Sequence, residues 1–270
     1  MAGGSCCGSR DIRRIVKESY GRLWAEEDRC CREPENALSV AHQALIDELS
    51  PREGMKILDV GCGTGDTVLE IAAKIGRKGR VVGVDFTEEG IAKAQEKAWS
   101  LGLEEVAEFR VADAEMLPFE DGVFDAVISE CVVCLTQDKH RVLAEKLRVL
   151  KPGGRLIMHD VVTWAEMPET LRNDPRLYSG CISGALRISD YVQMLEKAGL
   201  VEVKVVDYST QARKRLNANI LATTLGDAGD DKAFNEAAEF IRRGGVGYAL
   251  FAGTKPERQS PTRRMKPEGN

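Results

Sequence analysis

An excess of basic residues is missing from this 270-residue chain: 38 lysines and arginines face 43 aspartates and glutamates, a net charge of −5. That balance argues against a nucleic-acid partner, which needs a basic footprint over the phosphates. Long apolar runs are missing too. No stretch approaches the roughly 18 consecutive apolar residues of a membrane span, and the start, MAGGSCCGSRDIRR, lacks the apolar segment of a signal peptide. A cytoplasmic protein without membrane association is therefore expected. No internal repeat is visible. What is present is enough apolar content, 43% of residues, for a real core, and enough length for one large or two small domains. The anomaly is cysteine: Cys6, Cys7, Cys30, Cys31, Cys62, Cys131, Cys134 and Cys181. In a reducing compartment, thiols in such numbers more often bind metals or do chemistry than form staples.

Residues 10–50 read as helical. Ile12, Ile15, Val16, Tyr20 and Leu23 repeat at helical spacing, as does the run from Ala37 to Leu49, with Glu33-Pro34 as the break. After the turn-rich link 50–54, strands and helices alternate. MKILDVG is followed by a helix from Asp66 to Ile75, RVVGVDF by a helix from Glu88 to Leu101, and AEFRVAD and FDAVISE by a helix from Asp138 to Leu150. Lys151-Pro152-Gly153-Gly154 reads as a helix stop and turn before GRLIMHDVV. A helix from Ile188 to Ala198 then precedes VEVKVVDY and, last, VGYALFAG. Short β-branched runs between amphipathic helices mean strands buried on both faces of an α/β sheet. The expected division is a helical, cysteine-bearing cap over 1–50 and a domain over 51–254. The domain carries a two-helix insertion at 209–246, and 255–270 is a tail expected to be disordered.

Asp59-Val60-Gly61-Cys62-Gly63-Thr64-Gly65 closes the first strand and opens a helix, which is where an open α/β sheet binds ligands. Glycines there let the backbone turn sharply and approach a ligand closely. The dinucleotide fingerprint needs a glycine where Asp66 stands, so a pyrophosphate cradle is disfavoured. The G-x-G-x-G loop preceded by an acid resembles that of the class I S-adenosyl-L-methionine (SAM) methyltransferases. This resemblance implies a Rossmann-like, mostly parallel seven-stranded sheet with helices on both faces. It places Asp59, Gly61, Gly63, Gly65 and Ser129 about the cofactor, with Asp59 near its amino-acid part. Asp85, with Phe86 beside it, stands where one carboxylate accepts both ribose hydroxyl protons. Asp113, at the third strand's end with Ala114 beside it, resembles the family's adenine acceptor.

Cys30-Cys31, Cys131 with Cys134, and Cys181 fall in the three regions that build a methyltransferase's substrate site. Here the residues resemble the arsenite methyltransferases. Ile128-Ser129-Glu130-Cys131-Val132 is similar to that family's Ser-Asn-Cys-Val segment. The stretch from Asp174 to Leu186, DPRLYSGCISGAL, is similar to its Asp-Pro-x-Leu-Tyr-x-x-Cys-x-x-Gly-Ala-Leu loop. Tyr20-Gly21 and the Cys30-Cys31 pair are similar to its Tyr-Gly helix and nearby Cys-Cys. The resemblance implies Cys131 and Cys181 as ligands of trivalent arsenic, Cys30 or Cys31 as the third, and Tyr20 over the cofactor. It also implies arsenite or methylarsenite as substrate in metalloid detoxification, with cellular thiols or thioredoxin as reductant. Soft As(III) prefers sulfur. Its lone pair is then the nucleophile, and no general base is needed because arsenic has no proton to lose.

Other readings stay open. Cys62 reads as a small packing residue and Cys134 as core. Cys6-Cys7 is read as a flexible auxiliary pair. Cys131-x-x-Cys134 could be half of a zinc site completed by Cys30 and Cys181. His159-Asp160 could serve as a base for oxygen or carbon methylation, although Asp160 reads better as a structural strand-end residue. His42 and His140 read as surface or core fillers. The rivals are a small-molecule methyltransferase with a cysteine-lined pocket, acting on oxygen, carbon, sulfur, selenium or antimony, and a non-catalytic metalloid- or zinc-binding protein.

Overall fold

The computed structural model of the chain describes residues 8–25, 37–172, 174–210 and 232–257. Two helices, α1 (Gly8–Ala25) and α2 (Ala37–Leu49), precede the alternation β1 (Lys56–Val60), α3 (Asp66–Ile75), β2 (Arg80–Asp85), α4 (Glu88–Leu101) and β3 (Ala107–Val111). There follow β4 (Phe124–Glu130), a 3-10 turn at Val133–Leu135, α5 (Lys139–Val149), β5 (Leu150–Thr163), α6 (Glu169–Arg172) and a second 3-10 turn at Pro175–Leu177. The chain continues through β6 (Leu186–Arg187), α7 (Ile188–Lys197), β7 (Val201–Asp207), α8 (Lys232–Arg242) and β8 (Val246–Thr254). No helix among the described residues is long and apolar enough to cross a membrane.

The sheet runs β3-β2-β1-β4-β5-β8-β7, the expected seven strands, and two-residue β6 adds an eighth beside β5. β1 to β6 pair in parallel, while β8 runs antiparallel between β5 and β7. Period-2 alternation sends Ile57, Val81, Ala126, Ile128 and Ile157 into one core and Leu58, Val82, Val127, Leu156 and Met158 into the other. Each face is covered by helices, so the inner strands read as nearly continuous apolar runs.

Three details differ from the sequence reading. The Lys151–Gly154 turn does end α5, but pairing resumes at once: Phe124 faces Leu150 and Ala126 faces Arg155, so the four residues form an irregularity inside β5. The 1–50 cap divides. Leu45, Ile46 and Leu49 of α2 belong to the first core, whereas α1 lies against α4 and the second 3-10 turn. Lys255, the first residue of the expected tail, still pairs with the sheet, its N–H donating to the Gly154 carbonyl at 2.9 Å. Of the 209–246 insertion, the second helix is α8. The first falls in 211–231, outside the described residues, as does 258–270.

Candidate active site

Parallel pairing of β1, β2, β3, β4 and β5 puts their carboxy-terminal ends on one edge, and the glycine loop leaves β1 there. Gly61, Gly63 and Gly65 have φ of +82°, +51° and +81°, values that L side chains adopt only at a cost. A Cβ on Gly61 would collide with Val132, and one on Gly65 would lie 2.6 Å from Phe109. The loop is held from β2: the Gly61 and Cys62 N–H groups donate to the Val84 carbonyl at 2.7 and 3.0 Å, and the Gly63 N–H donates to Asp85 Oδ2 at 3.0 Å.

The predicted acids stand at successive strand ends. Asp85 Oδ1 accepts from the Thr87 N–H and hydroxyl at 2.9 and 2.6 Å, so its carboxylate is aimed and immobile while lone pairs remain for a ligand. Half-buried Phe86 follows it. Asp113 is paired with Arg13 of α1 and accepts from the Glu115 N–H at 2.9 Å. Ala114 packs on the second core. Asp59 is buried, and its pKa is raised well above the ordinary carboxyl range, first by burial and then by the negative Glu130. Ser129 faces inward, its hydroxyl accepting from the fully buried Lys146 ammonium at 2.6 Å. What Ser129 can present to a cofactor is therefore its backbone.

Helix α1 closes this edge. Trp24 lies on the glycine loop, 2.9 Å from where a Gly63 Cβ would stand, and its indole N–H is buried with no partner. A glycine cradle, an oriented carboxylate and an orphaned donor are what a nucleoside-bearing cofactor requires, so these residues fit one. Tyr20, one turn before Trp24, has its hydroxyl 3.9 Å from Cys181 Sγ.

The structure brings Cys131 and Cys181 together. Both occupy left-handed backbone, φ +52° and +62°, a conformation costing about 1–3 kcal/mol that persists only where surroundings impose it. The Cys131 N–H donates to the His159 carbonyl at 2.7 Å and the Cys181 N–H to the Tyr178 carbonyl at 2.9 Å. Cys134, read from sequence as core, is indeed buried, but it joins them. Cys134 and Cys181 share one small core with Cys131 packed against it, and the neighbouring Cys131 and Cys134 thiols, with help from Tyr20 and the positive Lys139, hold the Cys181 thiol well below its ordinary pKa. Cys131 is pushed up, first by the neighbouring Cys181 and then by burial; Cys134 is pushed up by burial first. Of the three, Cys181 is the thiol most readily ionised.

Cys62 is elsewhere, its sulfur against Gly83 and Phe109 in the first core. Cys6, Cys7, Cys30 and Cys31 lie outside the described residues, and among the described ones no group of three or more His, Cys, Asp or Glu is arranged to hold a metal ion. His159 and Asp160 do not assemble as a base. The His159 ring stacks on Tyr248 with both nitrogens unpartnered, and burial lowers its pKa to about 4. Asp160 accepts from the Cys134 and Val161 N–H groups.

His42 is a functional-edge residue that sequence reasoning missed. Its Nδ1 lies 3.1 Å from Glu130 and its Nε2 2.9 Å from Glu70, and the bond to Glu130 leads in raising its pKa to about 9. Burial opposes the Glu130 charge, but bonds from His42 and Thr67 outweigh it. No local signal links residues 88 positions apart.

Comparison with known proteins agrees with this geometry. A family model described as a methyltransferase domain matches residues 51–199. The chain belongs to the class I SAM-dependent methyltransferases. This methyltransferase is 41% identical over 160 residues to an arsenite methyltransferase of Halobacterium salinarum, covering 58% of the chain and 41% of that protein. It is 35% identical over 183 residues to one of Aquipseudomonas alcaligenes, covering 65% and 52%. The chain thus spans about half the length of these relatives. Methyltransferase GfsG of Streptomyces halstedii is 30% identical over 223 residues, 79% of each chain. Among solved structures, a sarcosine dimethylglycine methyltransferase from Galdieria sulphuraria, itself described as putative, superposes with a TM-score of 0.68 at 18% identity, covering 90% and 98%. The cyclase SpnF gives 0.66 at 22%, covering 91% and 93%. A cyclase on this fold makes plain that the fold alone does not set the reaction.

Proposed function

We propose that this methyltransferase transfers a methyl group from SAM to trivalent arsenic, arsenite or methylarsenite. The arsenic is held by Cys131, Cys181 and a third thiol, for which the Cys30-Cys31 pair is the sequence-based candidate. The observation that carries the reading is the packing of Cys131 against the small core that holds Cys181, 50 positions on in sequence, beside Tyr20 and next to the glycine loop.

SAM supplies an electrophilic methyl on a sulfonium. The chain's part is binding and alignment. Gly61, Gly63 and Gly65 would leave room for the cofactor, Asp85 would accept from the ribose hydroxyls, Asp113 would receive the adenine, and Trp24, which lies on the glycine loop, would border them. Cys181, the more readily ionised thiol, begins capture of arsenic, and Cys131 follows with loss of its proton. Sulfur ligation fixes the arsenic lone pair, and Tyr20 spans the gap between thiols and cradle. Such alignment is worth about 7–11 kcal/mol of barrier when the reacting atoms are held in line. Cellular thiols or thioredoxin would keep the cysteines and arsenic reduced.

Incubation of reduced protein with arsenite, SAM and thiol, followed by arsenic speciation, tests the proposal: methylated arsenic is expected, and Cys131→Ser or Cys181→Ser should abolish it. SAM bound without any arsenic–carbon bond formed would favour the small-molecule methyltransferase, although the neutral, unpartnered His159 counts against that rival's base. Arsenic or zinc bound without SAM would favour the non-catalytic protein.

A further inference from the structure

Three tryptophans occur in the chain, and two of them satisfy the indole N–H in ordinary ways. Trp99 is 76% exposed and faces water, and Trp164 donates to the Ser209 hydroxyl at 3.1 Å. Trp24 does neither: its Nε1 is buried with no partner. A buried donor left unpaired costs free energy that an acceptor on a ligand recovers.

The seat is built around the ring. Cζ2 and Cε2 of Trp24 lie 2.9 and 3.4 Å from where a Gly63 Cβ would stand, and Cδ1 lies 3.2 Å from where a Gly90 Cβ would stand. Nε1 is bonded to both Cδ1 and Cε2, so the N–H edge falls between these two glycines. The Tyr20 ring, its centroid 5.9 Å away, braces the indole from the same helix, and Arg13, earlier in α1, ties that helix to Asp113 and Glu115. The same two glycines adjoin Asp85. Its Oδ2 accepts from the Gly63 N–H at 3.0 Å, and its Oδ1 accepts from the Thr87 hydroxyl, which borders Gly90. An unpaired donor and an oriented acceptor thus share one corner of the cradle.

We infer that Trp24 binds the cofactor's ribose together with Asp85, the indole N–H donating to the oxygen of a hydroxyl whose proton Asp85 accepts. A hydroxyl is donor and acceptor at once, and a carboxylate satisfies only half of it. The inference rests on Asp85 as the ribose acceptor and adds a specificity-determining residue to that site. A nucleoside lacking the hydroxyl leaves the indole N–H unpaired, and a site built to bond a hydroxyl rejects the analogue without it.

Titration calorimetry with S-adenosylhomocysteine and its 2′-deoxy and 3′-deoxy analogues tests this without turnover. Trp24→Phe keeps a ring over the glycines and removes the donor. It should weaken S-adenosylhomocysteine about three- to tenfold, the range of one neutral hydrogen bond, but cost less than about twofold with the deoxy analogue that lacks the bonded oxygen. Unchanged affinity for S-adenosylhomocysteine, or the same loss with all three ligands, as packing alone would produce, overturns the inference. Asp85→Asn without effect on S-adenosylhomocysteine would instead sink the ribose reading beneath it. A second measurement leaves Trp24 in place. In protein carrying nitrogen-15 tryptophan, with signals assigned through Trp99→Phe and Trp164→Phe, S-adenosylhomocysteine should move the Trp24 indole proton downfield, the direction of hydrogen-bond formation. A Trp24 signal that stays where it was overturns the inference as well.

Discussion

Replacing His42 by glutamine removes a half-buried cation between two carboxylates, and its cost should depend on pH in a defined direction. In the folded chain the ring is raised from the ordinary 6.5 to about 9, with the bond to Glu130 leading and Glu70 adding. A raised pKa contributes stability that is fully present below 6.5 and is lost as pH climbs through 9. That interval is worth about 3 kcal/mol at 1.36 kcal/mol per pH unit. With the side chain 26% exposed, water screening reduces this to about 2–3 kcal/mol. Lys146, lowered by burial to about 8, titrates in the same range with the opposite sign. The quantity to measure is therefore the difference between wild type and His42→Gln, in which Lys146 cancels. Urea unfolding at intervals from pH 6 to 10 supplies it. The wild-type advantage should be largest at pH 6 and nearly gone at pH 10. A difference that stays flat across the range would refute the claim that charge on His42 ties α2 to the end of β4.

Three more outcomes follow from the geometry. Asp85→Asn keeps one acceptor but loses the charge, and since hydrogen bonds to charged groups contribute about 1.5–3 kcal/mol, titration calorimetry should find the demethylated cofactor bound roughly ten- to a hundredfold more weakly; unchanged affinity would remove Asp85 from the cofactor site. Gly65→Ala forces a Cβ to 2.6 Å from Phe109 and 2.8 Å from Ala94 at φ +81°, and should destabilise the fold by about 2–4 kcal/mol in thermal or urea unfolding, through overpacking and backbone strain. His159, lowered to about 4 by burial, stabilises the fold above pH 6.5 and ceases to as pH falls toward 4, a loss of about 3 kcal/mol; His159→Phe, which keeps a ring on Tyr248, should hold its stability relative to wild type better as the solution is acidified.

The alternation of β-branched runs with amphipathic helices was readable because both periods are local, and α3 and α4 begin and end where the pattern places them. The glycine loop was readable for the same reason: Gly61 to Gly65 and the acids Asp59, Asp85 and Asp113 sit at strand ends whose neighbours in space follow from parallel topology. Ser129 shows the boundary. It lies in the right segment, yet the alternation of β4 turns its hydroxyl to Lys146 beneath the sheet.

Linear order determined that this chain would be a doubly covered α/β sheet with a nucleoside-type cradle and thiols in its flanking loops, since periodicity and turn chemistry act over a few residues. That Cys131, Cys134 and Cys181 pack about one small core, that Arg13 covers Asp113 and that His42 grips Glu130 were decided only when the strands aligned and α1 and α2 closed over them. Those contacts join residues tens to a hundred positions apart, and their charges and proton affinities come from burial and from one another, quantities that no segment of sequence possesses before the chain is folded.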